Sequence, residues 1–456
     1  MHIHVLGICG TFMGGLAVCA KAAGHQVTGA DQAAYPPMSD QLAAQGITVT
    51  EGFDPQQLDT GPDLVVVGNV MSRGMPIVEE LLTRDIEYCS GPQWLAEEVL
   101  RDRWVIAVSG THGKTTTASL VAWILEFCGH EPGFLIGGVP GNFDCSGRLG
   151  TAPFFVIEAD EYDTAFFDKR AKFLHYDPRT LVINNLEYDH ADIYPNMQSS
   201  IWQFQQMLRI LPGNGRLIAN ANDANIARLI KMGCWTPVET FASTNTGANW
   251  RAERSADDSV KVFNGRKSVG QSDFSLSGQH NLENALAAIL ACRHAGVSIE
   301  LALKALARFK GVKRRLEHLG TFAGVSLYDD FAHHPTAIER TLRGLRAQAA
   351  SRRIMAVLEL RSNSMKLGAH RELLPDSFRA ADYVWVYHSN DIQWSLEETL
   401  KGMDSVRILD SVDNIVTDVV ATGQAGDVVV VMSNGDFQGI HAKLRDALQR
   451  KASGRV

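Results

Sequence analysis

Short apolar, β-branched runs alternate with segments of helical spacing over the first hundred residues. The runs are IHVLGI, QVTGAD and DLVVVGN, and a Gly-rich turn follows the first of them. The alternation begins again at Trp104 and a third time after GVKRRLE, where RIMAVLEL and DVVVVMSN are almost wholly apolar. Alternating strands and helices are typical of α/β domains, and continuous apolar strands indicate parallel sheets covered on both faces. We therefore predict an α/β fold of three domains, over residues 1–103, 104–311 and 312–456.

One polar segment interrupts this alternation. SVKVFNGRKSV has the pair Asn264-Gly265 at its centre, which is typical of a tight β-hairpin. We expect this hairpin to be a peripheral addition to the second domain. Helices are predicted over residues 115–128, 279–294, 335–349 and 440–450.

Composition and charge narrow the class of protein. The chain has 456 residues, of which 45% are hydrophobic and 21% are charged, as in soluble globular proteins. Its formal net charge of -8 argues against nonspecific binding of nucleic acid, which needs a basic surface. No apolar run approaches the roughly 20 residues that span a bilayer, and the chain begins with a strand pattern. We expect a cytoplasmic protein.

The stretch VIAVSGTHGKTTTAS, residues 105–119, carries the strongest chemical signal. A β-branched run leads into Gly-Thr-His-Gly-Lys-Thr and then into a helical pattern. Small residues let the backbone wrap a polyphosphate, Lys114 adds positive charge, and the Thr115 hydroxyl can bind Mg²⁺. The loop is shorter than the usual P-loop, because Gly110 stands only three residues before Gly113. We predict that this segment, the cradle, binds a nucleoside triphosphate.

Acidic residues follow the next two apolar strands. Glu158, Asp160 and Glu161 end the first strand, and Asp189 and His190 come after the second. The carboxyl ends of neighbouring parallel strands meet at one sheet edge, so these groups are expected beside the cradle. Mg²⁺ prefers oxygen ligands and commonly takes one or two carboxylates together with phosphates. A solvated acidic loop would not explain why a buried strand ends in acids. We therefore predict Glu158 as a metal ligand and His190 as a second candidate.

A second Gly-rich turn, GICGTFMGG, follows the first strand. Gly7, Gly10 and Gly14 have the spacing GxxGxxxG and depart from the dinucleotide fingerprint GxGxxG. The turn can seat a diphosphate, and Asp31 at the end of the next strand can meet a ribose or base. A nucleoside-diphosphate sugar fits this pattern better than a nicotinamide or flavin dinucleotide. Glycines that serve only close packing are the alternative.

Amides and basic residues further along admit two interpretations each. Asn281 and Asn284 in GQHNLENALAA lie three apart on one helix face, where they can read an adenine or ribose or act as cap and surface amides. The run Lys313-Arg314-Arg315 is either a solvated face or the source of an arginine that meets the γ-phosphate.

The segment YDDFAHHP follows a strand of the third domain. Its side chains Asp330, His333 and His334 can position or deprotonate an incoming amine. Equally, they can form a capped turn before the helix that Pro335 begins.

Six motifs together resemble the Mur ligase family: GTHGKTT, EADEYD, NNLEYDH, GQHNLENALAA, KRRLE and YDDFAHHPT, in this order. The resemblance covers essentially the whole chain. It implies a Rossmann-like N-terminal domain that binds a UDP-sugar, a central P-loop ATPase domain with a mostly parallel sheet, and a Rossmann-like C-terminal domain that admits the amine. It also implies ATP and Mg²⁺ as cofactors, small-molecule substrates, and no nucleic acid, membrane or obligatory protein partner.

The resemblance assigns roles to residues of this sequence. The implied catalytic residues are Lys114, Glu158, His190, Arg315, Asp330 and His334. Nucleotide contacts are implied for Gly110, Thr111, His112, Gly113, Lys114, Thr115, Thr116, Asn281, Asn284, Arg315 and Asp330. Metal ligands are implied at Thr115, Glu158 and His190. Substrate contacts are expected at Gly7, Cys9, Gly10, Thr11, Phe12, Met13, Asp31, Asn69, Arg73, His333, Arg361 and Asn363.

The motifs are most similar to family members that use UDP-N-acetylmuramate itself as the acid. The amine is then either L-alanine or the recovered tripeptide L-alanyl-γ-D-glutamyl-meso-diaminopimelate. The segments GICGTFMGG, GGVPGNF, LELRSNSMK and SNGDFQGIH favour the tripeptide. Arg361, within LELRSNSMK, is the expected partner of the peptide carboxylates. An NAD(P)-dependent oxidoreductase and a mechanical or signalling ATPase are alternatives that the order of the motifs disfavours.

Overall fold

The computed structural model describes residues 1–34, 38–151, 153–191, 193–244, 247–255, 259–349 and 351–453. The strands are β1 (His2–Leu6), β2 (Gln26–Asp31), β3 (Thr48–Glu51), β4 (Leu64–Val67), β5 (Tyr88–Ser90), β6 (Trp104–Ser109), β7 (Gly133–Leu135), β8 (Gly147–Arg148), β9 (Phe154–Glu158), β10 (Asp163–Ala165), β11 (Asp168–Ala171), β12 (Thr180–Ile183), β13 (Arg216–Asn220), β14 (Val238–Ala242), β15 (Trp250–Arg254), β16 (Val260–Asn264), β17 (Lys267–Ser272), β18 (Glu317–Phe322), β19 (Val325–Asp330), β20 (Ile354–Glu359), β21 (Tyr383–Tyr387), β22 (Val406–Leu409) and β23 (Val428–Met432).

The α-helices are α1 (Thr11–Ala22), α2 (Met38–Ala44), α3 (Pro76–Thr83), α4 (Gly91–Leu95), α5 (Lys114–Phe127), α6 (Met197–Arg209), α7 (Ala224–Lys231), α8 (Gln279–His294), α9 (Ile299–Leu306), α10 (Pro335–Ala349), α11 (Asn363–Lys366), α12 (Leu374–Ser377), α13 (Leu396–Thr399), α14 (Val412–Thr422) and α15 (Ile440–Ala452). Short 3₁₀ turns are Pro55–Thr60, Lys172–His175, Arg371–Leu373 and Phe437–Gly439, and a π-helical turn, Ala96–Leu100, continues α4. No helix in this part of the chain combines the length and apolar character needed to cross a membrane.

The chain divides into two compact units. Unit 1 comprises Met1–Tyr188, Asn196–Ser275 and Leu282–Lys310, and unit 2 comprises Asp189–Pro195, Leu276–Asn281 and Gly311–Val456. The three predicted domain boundaries stay a prediction.

Unit 1 contains two large sheets and a small hairpin. The first sheet is parallel and has the order β3-β2-β1-β4-β5. The second has the order β17-β16-β15-β14-β13-β12-β6-β9-β7-β8, with antiparallel pairs only toward its two ends. Strands β10 and β11 pair separately as the antiparallel hairpin. The cradle strand β6 thus lies between β12 and β9, both parallel to it.

Unit 2 is built on a six-stranded sheet of order β18-β19-β23-β20-β21-β22. Its strands are parallel except for β18, which pairs antiparallel with β19 at one edge. All five residues of β23 are buried, because helices cover both faces of the sheet. Such two-sided burial explains why this strand has no polar alternation.

The predicted α/β class with mostly parallel sheets is confirmed. The predicted hairpin is confirmed too, although its turn consists of Gly265 and Arg266, because Asn264 still pairs with Lys267. The hairpin is β16–β17, and it forms the outer edge of the ten-stranded sheet. The prediction missed β18 and β22, both edge strands of unit 2. β18 has four polar or glycine residues among its six, and β22 has only four residues. Neither has the buried apolar run on which the prediction relied.

Two glycines allow α1 to approach the second sheet of unit 1 at backbone distance. A Cβ atom on Gly147 of β8 would lie 2.6 Å from the carbonyl oxygen of Gly15 and 2.8 Å from its Cα. Backbone atoms cannot rotate away as a flexible side chain can. The packing of α1 on β8 therefore requires a residue without a side chain at position 147.

We predict that Gly147→Ala lowers the free energy of unfolding by about 1–3 kcal/mol, because the added methyl group overpacks two backbones. Chemical denaturation monitored by tryptophan fluorescence measures the change. Gly213→Ala is the matched control, since the nearest heavy atom to a Cβ there is 3.9 Å away. The control is expected within about 0.5 kcal/mol of the unmodified protein. Equal stability of the two variants would contradict the prediction.

Candidate active site

The cradle connects β6 to α5 through two glycines that lie close to other groups. Gly110 has φ +126°, and a Cβ there would be 2.8 Å from the carbonyl oxygen of Asn185. Gly113 has φ +80°, and a Cβ there would be 2.4 Å from Oδ1 of Asn284. Residues with a side chain rarely adopt either of these φ values, and neither position has room for a Cβ atom. The sequence therefore needs glycine at both positions to bring the loop against its neighbours.

Asn185, which follows β12, holds the cradle in shape. The amide of Thr111 donates to its backbone oxygen at 3.1 Å, and the amide of His112 donates to its Oδ1 at 2.7 Å. Its own side-chain amide donates to the carbonyl oxygen of His112 at 3.1 Å. The loop is thus fixed by the neighbouring strand end without a ligand.

Buried amides lie behind the cradle. Asn184 donates to Oγ1 of Thr117 at 2.9 Å, and Thr117 donates to Oδ1 of Asn284 at 3.2 Å. These contacts tie α8 to α5 at its first turns. Asn284 therefore supports the cradle from behind, and its predicted contact with the nucleotide stays a prediction. The side-chain amide of Asn281, in unit 2, donates to the carbonyl oxygen of Ser277 at 2.7 Å, as a helix-start residue does.

Lys114 is a buried cation surrounded by the acids that follow β9. Its Nζ lies 3.2 Å from Oδ1 of Asp160 and 3.2 Å from Oε2 of Glu161. Burial by itself lowers the pKa of Lys114, but the charges of Glu161, Asp160 and Glu158 outweigh burial and raise the pKa above its ordinary value. The predicted meeting of these acids with the cradle is confirmed. Lys114 is therefore held in its charged form, and its contact with phosphate stays a prediction.

Thr115 and Glu158 bring oxygen atoms together beside Lys114. The Thr115 hydroxyl donates to Oε1 of Glu158 at 2.9 Å, and the amide of Gly137 donates to Oε2 at 2.7 Å. Both side chains are buried. A hydroxyl and a carboxylate in contact form a hard-oxygen donor set of the type that Mg²⁺ takes. The residues present therefore fit this metal.

In unit 2, the other predicted ligand, His190, directly follows the buried carboxylate Asp189, which has a serine and a histidine as neighbours. Asp189 accepts a hydrogen bond from Ser364 at 2.8 Å, and its Oδ1 lies 3.8 Å from Nε2 of His370. The rings of His334 and His370 have centroids 4.3 Å apart. Burial alone would raise the pKa of Asp189, but the contact with His370 and nearby histidine charge hold it far below its ordinary value.

Sequence reasoning missed His370 and Ser364. Both are buried, with side chains 4% and 2% exposed. Ser364 stands in the segment LELRSNSMK, but neither residue has metal or phosphate spacing, so only the fold reveals that they lie against Asp189. His190 itself has φ +56°, which is uncommon for a residue with a side chain and is typical of functional sites.

Asp330 is the last residue of β19, and Arg315 stands two residues before the start of β18. Asp330 is buried and accepts hydrogen bonds from the amides of Leu316 and Ala332 at 2.7 and 2.9 Å. Burial raises the pKa of Asp330, although the charge of Arg315 opposes the shift. The Arg315 guanidinium lies 4.7 Å from the ring centroid of Phe331. These contacts fix the segment, and the nucleotide roles of both residues stay predictions.

The two histidines of YDDFAHHP differ in their surroundings. The His334 ring accepts the amide of Thr336 at 3.2 Å in the first turn of α10, so it acts as a cap. His333 Nδ1 lies 3.0 Å from the carbonyl oxygen of Phe331. The segment therefore forms the capped turn that was one of its two interpretations. The contacts of His333 and His334 with an amine stay predictions.

The N-terminal turn forms an uncapped helix start in unit 1. The amide of Cys9 donates to Oδ2 of Asp31 at 2.8 Å, so this carboxylate shapes the turn itself. Gly10 precedes α1, and Thr11, Phe12 and Met13 form its first turn, which carries no acidic residue. Open amides and positive potential at such a start favour an anion.

Two further predicted substrate residues lie in the loop after β4. Arg73 is exposed and pairs with Glu79, with an N–O distance of 2.9 Å. Asn69 follows Gly68, whose amide donates to the carbonyl oxygen of Leu6. Their substrate contacts stay predictions.

The prediction for the peptide centres on Arg361, which stands two residues after the end of β20. A Cβ on Gly435 would lie only 2.0 Å from a terminal guanidinium nitrogen of Arg361 and 2.6 Å from its Cδ. The arginine is exposed, and it lies across the space that a side chain at 435 would occupy. Asn363 begins α11 two residues later.

Three models of known protein families match successive parts of the chain, and each part corresponds to one of the three large sheets. The profile of the Mur ligase family catalytic domain matches residues 2–103, the Mur ligase middle domain matches residues 108–292, and the Mur ligase glutamate ligase domain matches residues 314–435. The chain belongs to the Mur ligase family. Its activity is therefore the ATP-dependent formation of an amide bond.

Individual Mur ligases are similar over the whole length. The UDP-N-acetylmuramate--L-alanyl-gamma-D-glutamyl-meso-2,6-diaminoheptandioate ligase of Escherichia coli is 51% identical, over 99% of both chains. The UDP-N-acetylmuramate--L-alanine ligase of Mycolicibacterium gilvum is 32% identical, over 95% of this chain and 94% of that one. The crystal structure of a murein peptide ligase from Psychrobacter arcticus superposes with a TM-score of 0.79 at 44% identity, over 98% of this chain and 99% of that one.

We predict that Gly113→Ala lowers the affinity for ATP at least about tenfold, because the methyl group would displace Asn284 and distort the Mur ligase cradle. Calorimetric titration with ATP measures the change. Gly129→Ala is the matched control, since this glycine follows the other end of α5 with the same φ of +80° and has no heavy atom within 4 Å of a Cβ. Both variants carry about 1–2 kcal/mol of backbone strain, so strain alone would affect them equally. Only Gly113→Ala also meets Asn284, and we therefore expect only this variant to lose ATP affinity. Equal losses in the two variants would refute this account.

Proposed function

We propose that this chain joins L-alanyl-γ-D-glutamyl-meso-diaminopimelate to UDP-N-acetylmuramate at the expense of ATP. The observation that carries the proposal is the full-length likeness to the peptide ligase, at 51% identity against 32% for the alanine ligase. Such a reaction reuses recovered wall peptide. The three substrates are small molecules of the cytoplasm, where we place the protein, and no nucleic acid, membrane or protein partner takes part.

The first step of the proposed reaction activates a poor electrophile. The lactyl carboxylate attacks the γ-phosphorus of ATP, which forms an acyl phosphate and releases ADP. Lys114, kept charged by Asp160 and Glu161, binds the phosphate oxygens on which negative charge gathers. The amides of the fixed cradle bind the remaining phosphate oxygens.

We propose that Mg²⁺ is the metal of this site. Thr115 and Glu158 would hold one ion, and His190 is the proposed ligand of a second. The metal would neutralise phosphate charge and help to orient the reacting oxygen atoms.

The second step forms the amide bond. The neutral amine of the peptide attacks the acyl carbon, and the tetrahedral intermediate collapses as the C–O bond to phosphate breaks. The proton that the amine loses leaves with the released phosphate. We assign His333 to orienting the amine and Arg361 to binding peptide carboxylates. The carboxylate of Asp330 keeps the hydrogen bonds that it accepts from two backbone amides. We assign to its charge the positioning of Arg315.

Comparison of amines tests the proposal directly. With UDP-N-acetylmuramate, ATP and Mg²⁺ present, we expect ADP release with the tripeptide to exceed release with L-alanine at equal concentrations. The product is identified by mass spectrometry, and chelation of Mg²⁺ is expected to stop its formation. Preference for alanine would assign the chain to the alanine ligases. ADP release without a sugar nucleotide would favour a different kind of ATPase.

Removal of Arg361 tests the recognition of the peptide. Arg361→Ala is expected to raise KM for the tripeptide roughly 10- to 100-fold, since a hydrogen bond to a charged group contributes about 1.5–3 kcal/mol. KM for ATP should stay unchanged, as measured in a coupled ADP assay. Arg379→Ala is the matched control, because this arginine of unit 2 is also exposed. Within the residues that the structure describes, its ion pair is with Asp376. An unchanged KM for the tripeptide in Arg361→Ala would remove Arg361 from the peptide site.

A further inference from the structure

Lys172 is a buried cation that the proposed mechanism does not use. It begins the 3₁₀ turn after β11, and only 8% of its surface is exposed. Its Nζ lies 5.2 Å from the ring centroid of Phe12 and 5.5 Å from that of Tyr162. Lysine is almost never this buried unless an anion pairs with it.

The acids nearest to Lys172 are engaged elsewhere. Asp160 lies 3.2 Å from Nζ of Lys114, and Asp163 accepts a hydrogen bond from Lys169 at 2.7 Å. Among the described residues, no carboxylate forms an ion pair with Lys172. Burial lowers the pKa of Lys172, and the more distant charges of Asp160 and Asp163 offset only part of that effect. Aromatic faces attract a cation, but they do not replace the hydrogen bonds it loses on leaving water.

Hydrogen bonds fix the backbone of the segment that carries Lys172. Its amide donates to the carbonyl oxygen of Tyr162 at 2.9 Å, which closes the β10–β11 hairpin. The Thr164 hydroxyl donates across the same hairpin to the carbonyl oxygen of Arg170 at 2.8 Å. A lysine usually extends its ammonium group toward water, whereas that of Lys172 lies within 5.2 and 5.5 Å of two aromatic ring centroids.

The two rings belong to segments for which different ligands are proposed, the diphosphate of the sugar nucleotide and ATP. Phe12 lies in the first turn of α1, where the open helix start favours a diphosphate. Tyr162 directly follows Glu161, the partner of Lys114 in the cradle. Lys172 thus contacts one ring from the N-terminal turn and one ring from the segment whose acids meet Lys114.

We propose that Lys172 binds an anionic oxygen of the sugar nucleotide and so holds the acid substrate between the N-terminal turn and the cradle. This inference rests on the proposed function. Two groups of UDP-N-acetylmuramate supply such an oxygen, the diphosphate and the lactyl carboxylate. In either case the substrate provides the hydrogen bonds that the protein does not give to this ammonium group.

Binding measurements on Lys172→Met test the inference. Three probes are titrated in the presence of Mg²⁺ and a non-hydrolysable ATP analogue: UDP, UDP-N-acetylglucosamine and UDP-N-acetylmuramate. We expect Kd for UDP-N-acetylmuramate to rise roughly 30-fold or more, because a buried charge partner is removed. Similar losses for all three probes assign the contact to the diphosphate. A loss confined to UDP-N-acetylmuramate, which alone has the lactyl group, assigns the contact to the carboxylate.

Lys169→Met is the matched control for charge removal. It lies on the same hairpin, but its side chain is 69% exposed and pairs with Asp163. We expect its Kd values to change less than about threefold, as for an exposed ion pair. Lys172→Arg, which keeps the charge, is expected to recover part of the affinity.

Thermal unfolding without ligands separates binding from a structural role. Methionine removes an unpaired buried charge, so the unliganded Lys172→Met variant should unfold at the same temperature or higher. A marked loss of stability, or unchanged Kd values for all three probes, would overturn the inference. If the unmodified protein itself fails to bind UDP-N-acetylmuramate, the proposed function fails instead.

Discussion

The ion pairs of Lys114 with Asp160 and Glu161 are the interaction on which the site depends. They exist because β9 lies directly beside β6 in a parallel sheet, so the residue that starts α5 meets the residues that follow the neighbouring strand. A lone ammonium at this depth would favour its neutral form. The acids keep the charge in place, and the strand order keeps the acids in place. The chemistry of the cradle is therefore a consequence of sheet topology.

Much of this arrangement was predictable from the sequence, because its signals are local. Apolar runs gave the strands β6, β9 and β12, and parallel pairing then brings their carboxyl ends to one edge. The supports of the cradle were not predictable. Asn184 and Asn185 begin the motif NNLEYDH, but nothing in the sequence indicates that they, or Thr117, support the cradle, because their partners are far away in the chain. His370 and Ser364 were missed for the same reason, since they meet Asp189 only after folding.

Several residues expected to contact ligands also have bonds within the protein. Asp31 accepts an amide of the N-terminal turn, and His334 accepts an amide at the start of α10. Asp330 accepts two amides. In each case a short polar side chain near a strand end satisfies a backbone donor that folding would otherwise leave unpaired. A motif can thus preserve loop shape and ligand chemistry together, and the sequence pattern alone does not separate the two.

The contact between Arg361 and Gly435 couples two positions that lie far apart in the chain. An arginine in this conformation excludes every side chain at 435, whereas a short residue at 361 would free that space. The two positions are 74 apart in the numbering and yet are not independent. A side chain at 435 would force the exposed arginine into another rotamer, so the glycine determines where this guanidinium group can lie.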